Sequence, residues 1–269
     1  WSTCPLRKLD LAYRHDGFSP FYTRPPFTRR TLEERYVDPL AGSNAGLLVW
    51  GLGPGSVFCY ETKVGQVFGE GLDERQRGLL REGDLWVHEN VMGLIREGPG
   101  PLRMAVERAH AVGLKLLARL EMNHEYGPAA GDNWMWVAFV GRLNKEHPEY
   151  RIPGRVLLDF KHPEVRAFKL AIFREALEAG ADGLELDFAV YPPFFEQPDA
   201  ALMTGFLREV RQLLDEFGVR QGKHLDMMVR VPAYGYAELG LDWPTWLREH
   251  LVDIIVPTHL RPGDYFDIR

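Results

Sequence analysis

Apolar residues recur along the chain at two spacings, and the two alternate in blocks. Residues 9–14 (Leu-Asp-Leu-Ala-Tyr-Arg) alternate and predict a first strand that ends at His15-Asp16-Gly17. Residues 45–52 are almost continuously apolar, as expected of a strand covered on both faces. A third strand is expected over 114–122, with Leu116, Ala118 and Leu120 on one face and Arg119 and Glu121 on the other. A fourth lies in 181–188, where Leu184, Leu186 and Phe188 oppose Glu185 and Asp187. Residues 225–231 and 252–257 complete six strands.

Helical spacing fills the intervals. One helix is expected from Thr31 to about Leu40, with Thr31 as N-cap and Glu34 at capping-box distance. Others span 102–112, ended by Gly113, and 200–217, ended by Gly218. Asp159 or His162 caps a helix that has Pro163 in its first turn and Val165, Phe168, Ile172, Ala176 and Leu177 as its inner stripe. A short helix starts at Trp243. Residues 56–100 hold no sustained period beyond a helix at about 84–96, and 133–145 reads as helical. Long βα insertions are therefore expected at about 53–100 and 123–160.

Strand and helix alternate throughout, which implies parallel strands with right-handed crossovers. An open doubly wound sheet carries helices on both faces and leaves no home for Arg119, Glu121, Glu185, Asp187 and Arg230 on one face. A (β/α)8 TIM barrel turns that face inward, and no Gly-rich phosphate loop supports the open sheet. The expected fold is an α/β TIM barrel forming a single domain over 1–269, with about six βα units recognisable. The two remaining strands either hide within 56–100 or are missing after the sixth; the regular later spacing favours a barrel incomplete at its C-terminus. A chain starting at Trp1 is also expected to be processed, trimmed or partial.

Composition narrows the function classes. With 45% apolar and 26% charged residues the chain is ordinary for a globular protein. A net charge of −6 and a pI near 5.9 argue against a nucleic-acid or anionic-membrane partner. No apolar run reaches the roughly 20 residues of a membrane-spanning helix. Two cysteines, Cys4 and Cys59, form neither a disulfide framework nor a metal cluster, and sequence leaves their pairing open. Aromatic residues at 12%, including seven Trp, suit a sugar-binding cleft.

Several segments are similar to a known family. His162-Pro163-Glu164-Val165-Arg166, then a helix, then Ala181-Asp182-Gly183-Leu184-Glu185-Leu186-Asp187-Phe188 before an aromatic-proline turn resembles the glycoside-hydrolase-like family 10 proteins of bacteria. Residues 60–65, 119–123, 230–232, 240–243 and 251–257 also look like its members, so the resemblance spans roughly 45–257. It implies a TIM barrel and a carbohydrate substrate, and the reading favours a secreted or periplasmic location.

Glycoside cleavage uses two carboxyl groups flanking the scissile bond. Asp16, Glu121 and Asp187 fall at predicted C-terminal strand ends. Asp187 is the expected nucleophile or base, and Glu121 the acid, its pKa raised by apolar Leu120 and Met122. Glu185 lies one layer deeper, where Arg119 or Arg230 can neutralise it. Arg230 is expected to hold Asp187 ionised, the alternative being that it binds a substrate carboxylate bidentately. Asn123, His124 and His259 are candidate partners of sugar hydroxyls, and Tyr191, Trp134 and Trp136 candidate stacking surfaces, with Asp16 beside them. No cofactor or metal is expected, since no His-x-His or H-E-x-x-H spacing occurs. Two further readings stay open: a metal-assisted hydrolase using Asp16, Glu121, His124, Asp187 and His259, and a non-catalytic carbohydrate-binding barrel. A homo-oligomer is compatible with all three.

Overall fold

The computed structural model describes residues 11–258. Eight strands occur among them: β1 (Leu11–His15), β2 (Ala45–Gly51), β3 (Val57–Phe58), β4 (Gln66–Val67), β5 (Lys115–Glu121), β6 (Gly183–Asp187), β7 (Asp226–Pro232) and β8 (Ile254–Thr258). The helices are α1 (Arg29–Leu32), α2 (Glu74–Arg77), α3 (Glu82–Glu97), α4 (Pro101–Ala111), α5 (Trp134–Phe139), α6 (Arg142–Glu146), α7 (Pro163–Glu178), α8 (Ala200–Gln221) and α9 (Trp243–Arg248). Six strands form one sheet in the order β1-β2-β5-β6-β7-β8, and β3 pairs with β4 in a separate two-stranded ribbon. Every pairing in the large sheet is parallel.

Sequential order with parallel pairing is the progression of a (β/α) barrel, since each crossover places the next strand beside the last. The register stacks the inward residues in layers. One layer joins Gly51, Arg119, Glu185, Met228 and Ile254, and the next joins Glu121, Asp187, Arg230 and Val256. On the same concave face Leu47, Val49, Leu117 and Met228 make a small apolar cluster with Ile254 and Val256. The opposite face supplies Leu48, Trp50, Leu116, Ala118, Leu120, Leu184, Leu186, Met227 and Val229 to the main core. The inner stripes of α4, α7 and α8 pack there too, through residues such as Ala105, Ile172 and Val210. β2 is apolar on both faces for that reason.

The sheet is curled. Arg14 on β1 reaches Glu185 on β6, which is three strands along the sheet. At about 4.8 Å per strand a flat sheet would hold those backbones too far apart for side chains to meet. The described part is thus a half-barrel with helices outside.

Most element boundaries follow the hydrophobic pattern, and the departures have local causes. Thr28, not Thr31, caps the first helix, because Thr28 and Thr31 form a reciprocal capping box. The 133–145 segment breaks at Val140-Gly141 into α5 and α6. Helix α8 runs past Gly218 and ends at Gly222, whose φ of 65° is the left-handed conformation glycine tolerates. The strands found inside 56–100 belong to the separate ribbon and add nothing to the large sheet.

Glycine shapes the top of β1 and β2. A Cβ on Gly51 would overlap the carbonyl oxygen of Asp16, and one on Gly17, with φ at 70°, would overlap that of Gly51. The two backbone segments touch there, which holds Asp16 at the mouth. Gly51→Ala is expected to destabilise the fold by about 1–3 kcal/mol in chemical unfolding, as overpacking does. An unchanged midpoint would show that the backbone contact is not tight.

Candidate functional site

All six strands run the same way, so their C-terminal ends share one rim. Glu121, Asp187 and Arg230 form the top inward layer, with Arg119 and Glu185 beneath. Three guanidiniums, of Arg14, Arg119 and Arg230, face the three carboxylates of Glu121, Glu185 and Asp187.

Asp187 is 0% exposed and fully occupied. Its Oδ2 accepts from Arg14 at 3.0 Å, from Arg119 Nη2 at 2.8 Å and from Arg230 at 3.0 Å. Its Oδ1 accepts the backbone N–H of Ala189 at 3.1 Å. Burial alone would raise its pKa; Arg119 and Arg230 outweigh burial and hold it below the usual carboxylate range. Glu185, also 0% exposed, takes Arg14 Nε at 3.0 Å and lies 3.6 Å from Arg119. Burial dominates there and pushes its pKa up, against the pull of Arg14. The sequence places Glu185 in a structural pair with Arg119 or Arg230; Arg14 and Arg119 are the partners found. Arg230 holds Asp187, as expected, and donates its other nitrogen to Thr258 at 3.1 Å.

Glu121 carries the layer into a cavity. One oxygen accepts from Arg119 and the other from His124 Nδ1. Its pKa is lowered, not raised as Leu120 and Met122 would suggest: burial lifts it, but His124 and Arg119 outweigh burial. His124 stacks on Tyr191 with centroids 4.1 Å apart and planes 16° apart, and meets the edge of Tyr126 at 5.0 Å. Tyr191 is 39% exposed, with φ at 55°, a left-handed conformation rare for a bulky residue.

A cavity of about 280 Å³ is lined by Asp16, Arg81, Glu121, His124, Tyr126 and Tyr191, with Phe18 and Phe139. Asp16 sits at its rim with its side chain 48% exposed. It accepts the backbone N–H groups of Phe18 at 3.0 Å and Ser19 at 2.8 Å. Burial opposes this, yet His15 and Ser19 hold its carboxyl well below the usual range.

The other expected residues are distributed differently. Asn123 is 0% exposed and spends its amide on Leu158 O at 2.9 Å, Pro193 O at 2.8 Å and Leu158 N at 3.0 Å. These bonds make it an anchor of the loop, and it is not among the residues that line the cavity. Trp134 lies behind the wall, packed on Phe139 and Tyr126, with the Arg81 guanidinium 3.8 Å over its ring. Trp136 faces Lys145 and Arg151, away from the cavity. His259 and Cys4 lie outside the described residues, so the Cys4–Cys59 question does too; Cys59 is buried. Among the described residues, ligand-type atoms within 4.8 Å of one another occur at His224, Asp226 and Asp253, at the opposite ends of the strands from Asp16, Glu121, His124 and Asp187. Two of those carboxylates are already held, Asp226 by Lys115 and Asp253 by Arg211. No helix among the described residues is long and apolar enough to cross a membrane.

Sequence reading missed Arg14 and Arg81. Arg14 carries a signal only in retrospect, as a cation alternating inward on the first strand.

No protein-family model matches the chain, and no curated protein matches it. Solved structures of similar fold include glycoside hydrolases. The multi-modular cell-surface chitinase ChiW of Paenibacillus sp. str. FPU-7 is 12% identical with a TM-score of 0.50, over 91% of this chain and 23% of that one. A family 18 N-acetylglucosaminidase from Paenibacillus barengoltzii is 16% identical with a TM-score of 0.42, over 84% and 50%. The α-galactosidase of Thermus thermophilus is 16% identical with a TM-score of 0.40, over 81% and 37%. The chain spans between about a quarter and a half of the length of these proteins. At such identities the likeness to the chitinase is one of fold, and the two lower scores carry nothing further.

The charge layer makes stability pH-dependent with a defined sign. Asp187 and Glu121 have folded pKa values below their ordinary 3.8 and 4.5, so their contribution is present above those values and lost as pH falls through the lowered ones. Glu185 works the other way. Urea unfolding should show stability dropping on acidification below about pH 4. Asp187→Ala, which strands Arg119 and Arg230, should lose about 3–5 kcal/mol at pH 7 and flatten the acid limb. An Asp187→Ala protein as stable as the parent would refute the layer's structural role.

Proposed function

We propose that the chain is a glycoside hydrolase-like enzyme of the (β/α)8 barrel type that cleaves glycosidic bonds in a poly- or oligosaccharide. The observation that carries this reading is the cavity at the C-terminal strand ends, where a hydrogen-bonded Glu121–His124 pair faces aromatic walls. Sugar rings offer apolar faces to aromatic rings and hydroxyls to charged groups, and their cleavage needs a carboxyl group that moves a proton. Active sites of such barrels lie at this rim. The likeness in fold to a chitinase agrees with the reading.

Glu121 is the proton-handling carboxylate in this proposal. Arg119 and His124 keep it ionised, which suits a base or nucleophile. Asp16 is the second carboxylate at the cavity. Asp187, expected as the nucleophile, is assigned a positioning role, since each of its oxygens is already taken by arginine or backbone donors. Tyr191 offers a ring face beside His124 for stacking.

The same saturation favours a second reading, a carbohydrate-binding barrel without turnover. Glu121 already accepts a hydrogen bond at each oxygen, from Arg119 and His124, so a sugar must compete for its remaining lone pairs. A panel of oligosaccharides separates the two. Hydrolysis by the parent chain, lost by a factor of about 100 or more in Glu121→Gln with sugar binding retained, is the enzyme's result. Binding without turnover in the parent chain supports the second reading, and no binding to any glycan removes both. Under either, Tyr191→Ala should weaken sugar binding about tenfold, or roughly 1.4 kcal/mol.

A further inference from the structure

One cation at the cavity has no part in the chemistry proposed so far. Arg81 lies just ahead of α3 and lines the cavity together with Asp16, Glu121, His124, Tyr126 and Tyr191. Its side chain is 46% exposed, yet two partners hold it. Nε and Nη2 donate to the two oxygens of Asp84, at 2.9 and 2.8 Å, which is a side-on bidentate pair. The Asp84 side chain is fully buried on α3. The face of the guanidinium lies 3.8 Å over Trp134, which is itself packed on Phe139 and Tyr126.

This arrangement leaves part of the fork over. A guanidinium has more N–H donors than one bidentate pair uses. The side-on edge is spent on Asp84, while Nη1 makes no hydrogen bond among the described residues. The end-on edge, formed by Nη1 and the second N–H of Nη2, therefore keeps its donors. The carboxylates at the cavity are in the opposite condition. Asp16 accepts the Phe18 and Ser19 N–H groups at one oxygen and the Ser19 hydroxyl at the other. Glu121 accepts from Arg119 and from His124. Arg230, whose other expected partner is a substrate carboxylate, is spent on Asp187 and Thr258. Among the described residues that line the cavity, the permanent charge with donors to spare is Arg81.

A guanidinium already fixed by an ion pair and a ring stack loses little further side-chain entropy when it binds a ligand. Its end-on edge matches the two oxygens of a planar carboxylate, whereas a sugar hydroxyl offers that edge a single oxygen. We propose that Arg81 is a specificity residue of this cavity: its unused guanidinium edge takes the carboxylate of an acidic sugar, so the ligand class is a uronate-containing oligosaccharide. Like charges repel, so Asp16 and Glu121 steer the acid group away from themselves and toward Arg81, and the hydroxyls face the carboxylates. The proposal rests on the reading of the cavity as a carbohydrate site.

Matched pairs of oligosaccharides test it by calorimetry on the full chain. Each pair is a uronate oligomer and the same oligomer with its carboxyl groups reduced to neutral hydroxymethyl groups, so linkage and length are constant and only the charge differs. The parent chain should bind the acidic member of a recognised pair about tenfold or more tightly than the neutral one. Arg81→Met should abolish that preference. Arg81→Lys, which keeps a cation for Asp84 but loses the fork, should retain only part of it. Neutral members bound as tightly as acidic ones overturn the proposal and leave the carbohydrate reading standing, whereas no binding to any glycan overturns both. An acid preference unchanged in folded Arg81→Met, or undiminished in Arg81→Lys where that variant alone folds, puts the carboxylate elsewhere and also overturns the proposal.

Discussion

The interaction on which the rest depends is the neutralisation of three inward carboxylates by three arginines on the concave face of the sheet. Glu185 and Asp187 are both fully buried on one short strand. Isolated, either would be expelled or protonated. Arg119 comes from the neighbouring strand in the same layer, Arg230 from the other side, and Arg14 from across the curl. The curl and the ion network therefore require each other: without curvature Arg14 cannot arrive, and without Arg14 the deepest carboxylate loses its nearest cation.

The same network sets the electrostatics of the rim. Arg119 reaches up from the lower layer and donates to both Asp187 and Glu121 in the layer above. Glu121 is thus tied at one oxygen to a buried scaffold and at the other to an imidazole held by a ring stack. A side chain fixed at both oxygens has little rotamer freedom, which is what a binding or catalytic group needs in order to be preorganised. The barrel top, not the helix layer, is where the chain concentrates such groups.

Much of this was legible from the residues. Strand alternation has a period of two, so the shared face of Arg119, Glu121, Glu185, Asp187 and Arg230 follows from spacing alone, and the register bears it out. The parallel α/β order followed from six alternating units. What spacing cannot supply is long-range geometry. Arg14 pairs 171 residues away through sheet curvature, which no local pattern encodes. Asn123 has the chemistry of a sugar ligand, but backbone groups of Leu158 and Pro193 consume it. The pKa of Glu121 was misjudged in sign because its neighbours in sequence are apolar while its neighbours in space are Arg119 and His124. Side chains next to one another on a strand point to opposite faces, so Leu120 and Met122 were never its environment.

On the proposed function, a carbohydrate binds in this rim cavity. A crystal structure of the chain with a bound oligosaccharide tests it most directly. The account predicts a sugar ring against Tyr191, with a hydroxyl or glycosidic oxygen within hydrogen-bond distance of Glu121. A saccharide seated elsewhere, such as the outer groove between α7 and α8 beside Arg174 and Glu216, would contradict it.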